Sequence, residues 1–187
     1  MRKFTASAFF FLGLVAFCSA LGNKTKNEHR TVTQVLDHAV ANVEHEFVPA
    51  AEAMPEDKFD FAPTNGDFKG VRTFARQVKH VAAVNYELGA AIMQEKAPVD
   101  IGDEEGPAAI TSKAEILKYL NESFAYVHKA VQTINEKNLV EPVKSPFGEG
   151  LVTRLGLATS VPAHCFDHYG QMVEYLRMNG IVPPASR

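Results

Sequence analysis

The chain predicts an all-α fold, an antiparallel four-helix bundle, on three observations. Four long segments carry apolar residues at alternating steps of three and four, the period of a helix that buries one face. Each segment is closed by Pro- or Gly-rich punctuation. No stretch has the two-residue alternation of a half-buried strand, and no internal repeat divides the chain.

Ahead of the bundle, residues 1–20 read as a secretory signal peptide. Arg2 and Lys3 form a basic start, Ala8 to Phe17 carry no charge, and Cys18, Ser19 and Ala20 supply small residues for cleavage. The apolar run is short for a bilayer span, and the polar stretch 23–30 follows at once. No stable membrane span is therefore expected after cleavage, a retained N-terminal anchor being the alternative. Phe17 is too bulky to precede a lipid-modified cysteine at Cys18. The mature chain, 21–187, is expected to be a single exported domain, periplasmic or secreted. Cys165 is then its only cysteine, so packing and not an internal disulfide must hold it together. Loss of Arg2 and Lys3, with no acidic residue in that segment, takes the net charge from −3 to −5. A mildly acidic chain without a basic patch gives nucleic-acid binding no electrostatic support.

The first helix is expected over about 31–53, with Val32, Val35, Leu36, Ala39, Val43 and Phe47 inward and a stop at Met54-Pro55. A loop with Phe59, Phe61 and Phe68 follows, and its aromatic rings are expected to fold back on the bundle end. The second helix, about 71–95, has Phe74, Val78, Val81, Leu88 and Ile92 as its stripe. Beyond it the acidic run 100–105 lacks the ligand periodicity of an EF-hand and reads as solvated loop. The third helix has the cleanest period: Leu117, Leu120, Phe124, Val127, Val131 and Ile134. Thr111 or Ser112 caps its start, and Glu115 completes a capping box with Ser112. The fourth starts near Thr153 and ends at Asn179-Gly180, with Pro162 set to kink or break it.

Chemistry concentrates on that last helix. His164 and His168 lie four residues apart on a stripe of Leu157, Val161, Gln171 and Tyr175, so both imidazoles leave one face where the pattern calls for aliphatic residues. Burying unpartnered imidazole is costly, and a divalent metal is the sharpest way to satisfy the nitrogens. The spacing by itself is a weak motif; a third ligand has to be found. His29, His38, His45 and His128 read as exposed or off the apolar faces. His80, mid-helix beside Ala83, sits at the margin of the second stripe and on periodicity is only modestly favoured over His38. A zincin protease is disfavoured because Cys165, not Glu, follows His164. Cys165 itself reads as a buried, inert thiol.

Three segments carry a family resemblance: MPEDKFDFAPT, VRTFARQVKHVAAVNYEL and HCFDHYGQMVEYLRMNGIVPPAS. Together they resemble the DinB family of bacterial metal-binding four-helix bundles, themselves similar to thiol-dependent transferases related to maleylpyruvate isomerase. The HxxxHxGQ run followed by LR, NG and PP is the most specific part. The resemblance implies that one histidine of the second helix and two of the last hold a divalent metal. By position these are His80, His164 and His168. Zinc or nickel is the metal it favours.

Three imidazoles leave a four-coordinate ion one open position, the arrangement of catalytic rather than structural zinc. The expected activity is metal-dependent hydrolysis or small-thiol transfer on an unknown small-molecule substrate. The alternative is a non-catalytic metal-binding or interaction bundle of the cell envelope. Gln171, one turn past His168, is a candidate to orient a ligand or to bridge helices. A homodimer is plausible by resemblance alone.

Overall fold

The computed structural model describes residues 29–187; the expected signal peptide lies outside the described residues. Four helices dominate them: α1 (Val32–Ala53), α2 (Phe74–Met93), α3 (Lys113–Val131) and α4 (Arg154–Met178). Their starts follow local chemistry. Thr31, Thr73, Ser112 and Thr153 each accept the backbone N–H of the residue three further on, and Gln34 and Glu115 return the contact as capping boxes. Pro162 does not interrupt α4, which runs through it unbroken.

Around the bundle, α1 lies between α3 and α4, and α2 lies between the same two neighbours on the other side. Tyr175 Oη bonds the Arg72 carbonyl at one end while Arg154 Nε bonds the Ile92 carbonyl at the other, so α2 and α4 are antiparallel. Likewise α1 opposes α3: Thr33 reaches the Ile134 carbonyl, and Lys113 reaches those of Glu52 and Met54. Asn85 meets Ser123 and Gly89 meets Tyr126, so α2 and α3 run side by side in one direction. A Cβ on Gly89 would stand 2.8 Å from Tyr126 Cδ1, so the missing side chain sets how closely these helices approach. The connection from α2 to α3 must therefore return along the bundle, and it carries the acidic run 100–105 back to the start of α2.

The core is apolar and continuous, with Phe47, Phe74, Phe124, Leu88, Ile92, Leu120, Met172 and Leu176 wholly buried. Several expectations need correction. Val35 is 52 % exposed, and Val40 takes the inward position instead. Of the three loop phenylalanines, Phe59 is buried against Phe74 and Phe61 packs edge-on to Tyr175, but Phe68 is exposed. Among the described residues the long connection before α4 forms a small antiparallel hairpin, β1 (Pro142–Lys144) with β2 (Leu151–Thr153). Three-residue strands are too short to show an alternation in sequence. No helix of the described residues is long and apolar enough to cross a membrane.

Candidate metal centre

His80 on α2 and His164 and His168 on α4 come together in space. Their ring centroids are 4.6–5.0 Å apart, and one nitrogen from each falls within 4.8 Å of the others. His80 Nε2 and His164 Nε2 are 3.1 Å apart. Two nitrogens bound to one tetrahedral zinc ion stand about 3.3 Å apart, from bond lengths of about 2.0–2.1 Å. His80 and His168 are buried and His164 is half-buried, so the cluster reaches the surface on the α4 side.

The outer nitrogens decide how the rings present themselves. His80 Nδ1 lies 2.6 Å from the Glu104 carbonyl, which only accepts, so Nδ1 carries the proton and Nε2 keeps its lone pair. His168 Nδ1 lies 2.6 Å from Gln77 Oε1. The direction of that bond is fixed by a relay: Gln171 Nε2 donates to Asp167 at 3.4 Å, and Gln77 Nε2 donates to Gln171 Oε1 at 2.8 Å. A carboxylate at the far end leaves Gln77 Oε1 to accept from His168 Nδ1–H. Gln171 thus both bridges α2 and α4 and acts on His168 through Gln77. Gln77 is wholly buried and central to this relay, and no sequence signal marks it. Nothing short of the packing of α2 on α4 pairs it with His168. His164 Nδ1 is different: it is buried and has no partner among the described residues.

Burial favours the neutral form of all three rings. It is the main reason His164 is pushed down to about 3, the facing His168 and His80 adding to it, and His168 to about 4, with His80 and the Arg72 guanidinium adding to it. His80 is lowered by the same burial, against the opposing pull of the Glu104 carbonyl. The donor set consequently fits a divalent cation: three neutral imidazoles converge, and the outer N–H groups of His80 and His168 are tied to acceptors so that their inner nitrogens keep lone pairs.

A match to the DinB superfamily spans residues 39–172, most of the chain and all three histidines. The chain belongs to the DinB superfamily. A solved structure described as a conserved protein from Enterococcus faecalis has a similar fold, with a TM-score of 0.63 at 16 % identity, over 80 % of this chain and 97 % of that one. No curated protein matches the chain. Family membership and the histidine cluster together are compatible with binding a divalent metal.

The remaining candidates of this DinB-superfamily chain fall elsewhere. His29, His38 and His45 are exposed. Cys165 is fully buried beside Asn85, and burial drives its thiol up to about 12, which keeps it protonated and inert. Tyr169 donates to Glu46, and Tyr175 to the Arg72 carbonyl; both act as helix ties. An open groove of about 520 Å³ lined by Glu87, Ala91, Gln94, Lys144 and Ser145 contains none of the three imidazoles.

Proposed function

We propose that the chain is an exported metalloprotein that holds one zinc or nickel ion on His80, His164 and His168 and uses it in hydrolysis or small-thiol transfer. The observation that carries this reading is the orientation of the rings. His80 and His168 have their outer N–H groups bound to the Glu104 carbonyl and the Gln77 amide oxygen, which leaves their inner lone pairs free for a cation. An ion held by His80, His164 and His168 would supply Lewis-acid chemistry toward a carbonyl, a water or a thiol. The chain's own part is to keep the imidazoles neutral by burial, to hold two of them rigidly, and to leave His164 nearest the solvent. Export removes the protein from intracellular thiol cosubstrates, which favours hydrolysis of a small molecule over thiol transfer. The net charge of −3 gives a nucleic-acid partner no electrostatic support.

A non-catalytic bundle is the second reading, favoured by the burial of His80 and His168. Exchange of small thiols at the bound ion separates the two, since a closed structural ion takes up no added ligand.

Elemental analysis of the purified protein beside His164→Ala tests the site. The parent is expected to carry about one transition-metal ion per chain and the variant far less. Full retention by the variant removes His164 from the ligand set, and a parent free of metal after growth in zinc and nickel refutes the reading.

A further inference from the structure

We propose that Glu105 is a positioning residue for the metal centre: its carboxylate, gripped by Arg72 and Arg76, seats the peptide whose carbonyl orients His80. This rests on the three-histidine reading above and extends it to the loop between α2 and α3.

The loop is held in an unfavourable shape. Gly102, Asp103 and Glu104 are all left-handed, with φ of +54°, +49° and +66°, and two of the three carry a Cβ that resists that region. Such a conformation persists only where its surroundings impose it. The contacts that impose it surround one peptide unit, the one joining residues 104 and 105. Its carbonyl meets His80 Nδ1 at 2.6 Å, and its N–H donates to the Gly102 carbonyl at 2.9 Å. Immediately beyond, Glu105 Oε1 accepts from Arg72 Nη2 at 2.7 Å and Nε at 3.0 Å, while Oε2 accepts from Arg76 Nη2 at 3.0 Å and Nε at 3.3 Å. Two forked guanidinium contacts on one carboxylate fix its direction as well as its place. Further along, Lys79 Nζ donates to the Pro107 and Ile110 carbonyls, and on the other side Tyr119 donates to the Asp100 carbonyl.

Arg76, Lys79 and His80 all belong to α2, and Arg72 immediately precedes its cap. One helix therefore presents both the ligand and the basic residues that press the loop onto it. Arg72 and Glu105 are only about a third exposed, at 31 % and 36 % of their side chains. With the loop seated, His80 is locked as the Nδ1–H tautomer with Nε2 toward His164. With Glu105 neutralised, the strained loop loses its nearest anchor, and the imidazole is free to rotate and exchange tautomers.

The test has one arm that needs no metal. In the metal-stripped full-length protein, the side-chain nitrogen NMR signals of His80, assigned by their loss in His80→Ala, are expected to report a single Nδ1–H tautomer. Glu105→Gln is expected to give mixed tautomers, and Glu105→Asp a partial return. In a zinc titration followed by calorimetry, Glu105→Gln is expected to keep the stoichiometry while the Kd rises about tenfold. Arg76→Gln should follow in the same direction, and Glu174→Gln, which breaks a remote surface ion pair with Arg177, should match the parent. A single unchanged His80 tautomer in Glu105→Gln overturns the proposal and leaves the three-histidine reading standing. A parent that takes up neither zinc nor nickel refutes that reading instead, and the tautomer arm still decides the role of Glu105.

Discussion

His128 and the three-histidine cluster are both taken partly or wholly out of water, and burial pulls all four imidazoles toward the neutral form. They end in opposite states. His128 on α3 has Nδ1 2.6 Å from Asp37 and Nε2 3.0 Å from Glu44, both on α1. Carboxylates accept at both nitrogens, so both must donate, and the ring is held as an imidazolium with its pKa raised. In the cluster the outer partners are a carbonyl and an amide oxygen, while the inner nitrogens face one another. Charge on His168 there would meet His80 and the Arg72 guanidinium, and charge on His164 would meet the other two rings, with Asp167 the one opposing carboxylate. The partners of the two ring nitrogens, more than burial, decide whether a histidine ties helices together by charge or offers a lone pair.

The largest effect is expected at Gln77. Gln77→Leu removes the acceptor of His168 Nδ1–H and strands the Gln171 amide. Zinc binding is expected to weaken about 10–100-fold, and urea unfolding of the metal-free protein to show a loss of about 1–3 kcal/mol from unpartnered polar groups. Unchanged zinc affinity would mean that the outer acceptor does not set the role of the ring. His128→Ala comes next. It removes two charged hydrogen bonds between α1 and α3, but the participants are between a quarter and a third exposed, which screens them. A loss of about 1 kcal/mol is expected, with zinc uptake as in the parent; altered uptake would couple the two regions.

The pH dependence is the most diagnostic, because its sign differs between them. An unfolded histidine titrates near about 6.5. His164 at about 3 and His168 at about 4 bind fewer protons folded than unfolded, so the metal-free protein should lose stability as pH falls below about 6.5. His128, raised when folded, stabilises fully below that value, and its contribution disappears as pH rises through its folded pKa. Unfolding curves across this range should show His128→Gln abolishing the alkaline loss while keeping the acid one. Loss of both limbs together would contradict the assignment.

The helices were legible because each is written within its own segment. The Ser112–Glu115 box and the Leu120, Phe124, Val127 stripe of α3 sit where periodicity puts them. On α1 Leu36, Val43 and Phe47 are buried as the period predicts, but Val35 is exposed and Val40 buried, because several apolar residues crowd this segment and only the neighbouring helices choose among them. The acidic run 100–105 is the larger miss. Its charge suggests solvent, yet Glu105 is paired with two arginines and the Glu104 carbonyl meets His80. His128 lies off the apolar stripe of α3, and its carboxylate partners Asp37 and Glu44 are on another helix, so nothing local marks it.

By itself the sequence determined four amphipathic helices, their caps, and the projection of His164 and His168 from one face, because a four-residue spacing has a fixed geometry on any α-helix. It also held the family motifs that implied His80. Only the tertiary structure decided that His80 meets them across 84 residues, that Gln77 orients His168 across 91, and that the α2–α3 connection returns to cover the cluster. Helical periodicity is a local property of the chain, whereas these contacts exist only after helices distant in sequence have packed and the loop has been drawn back along α2.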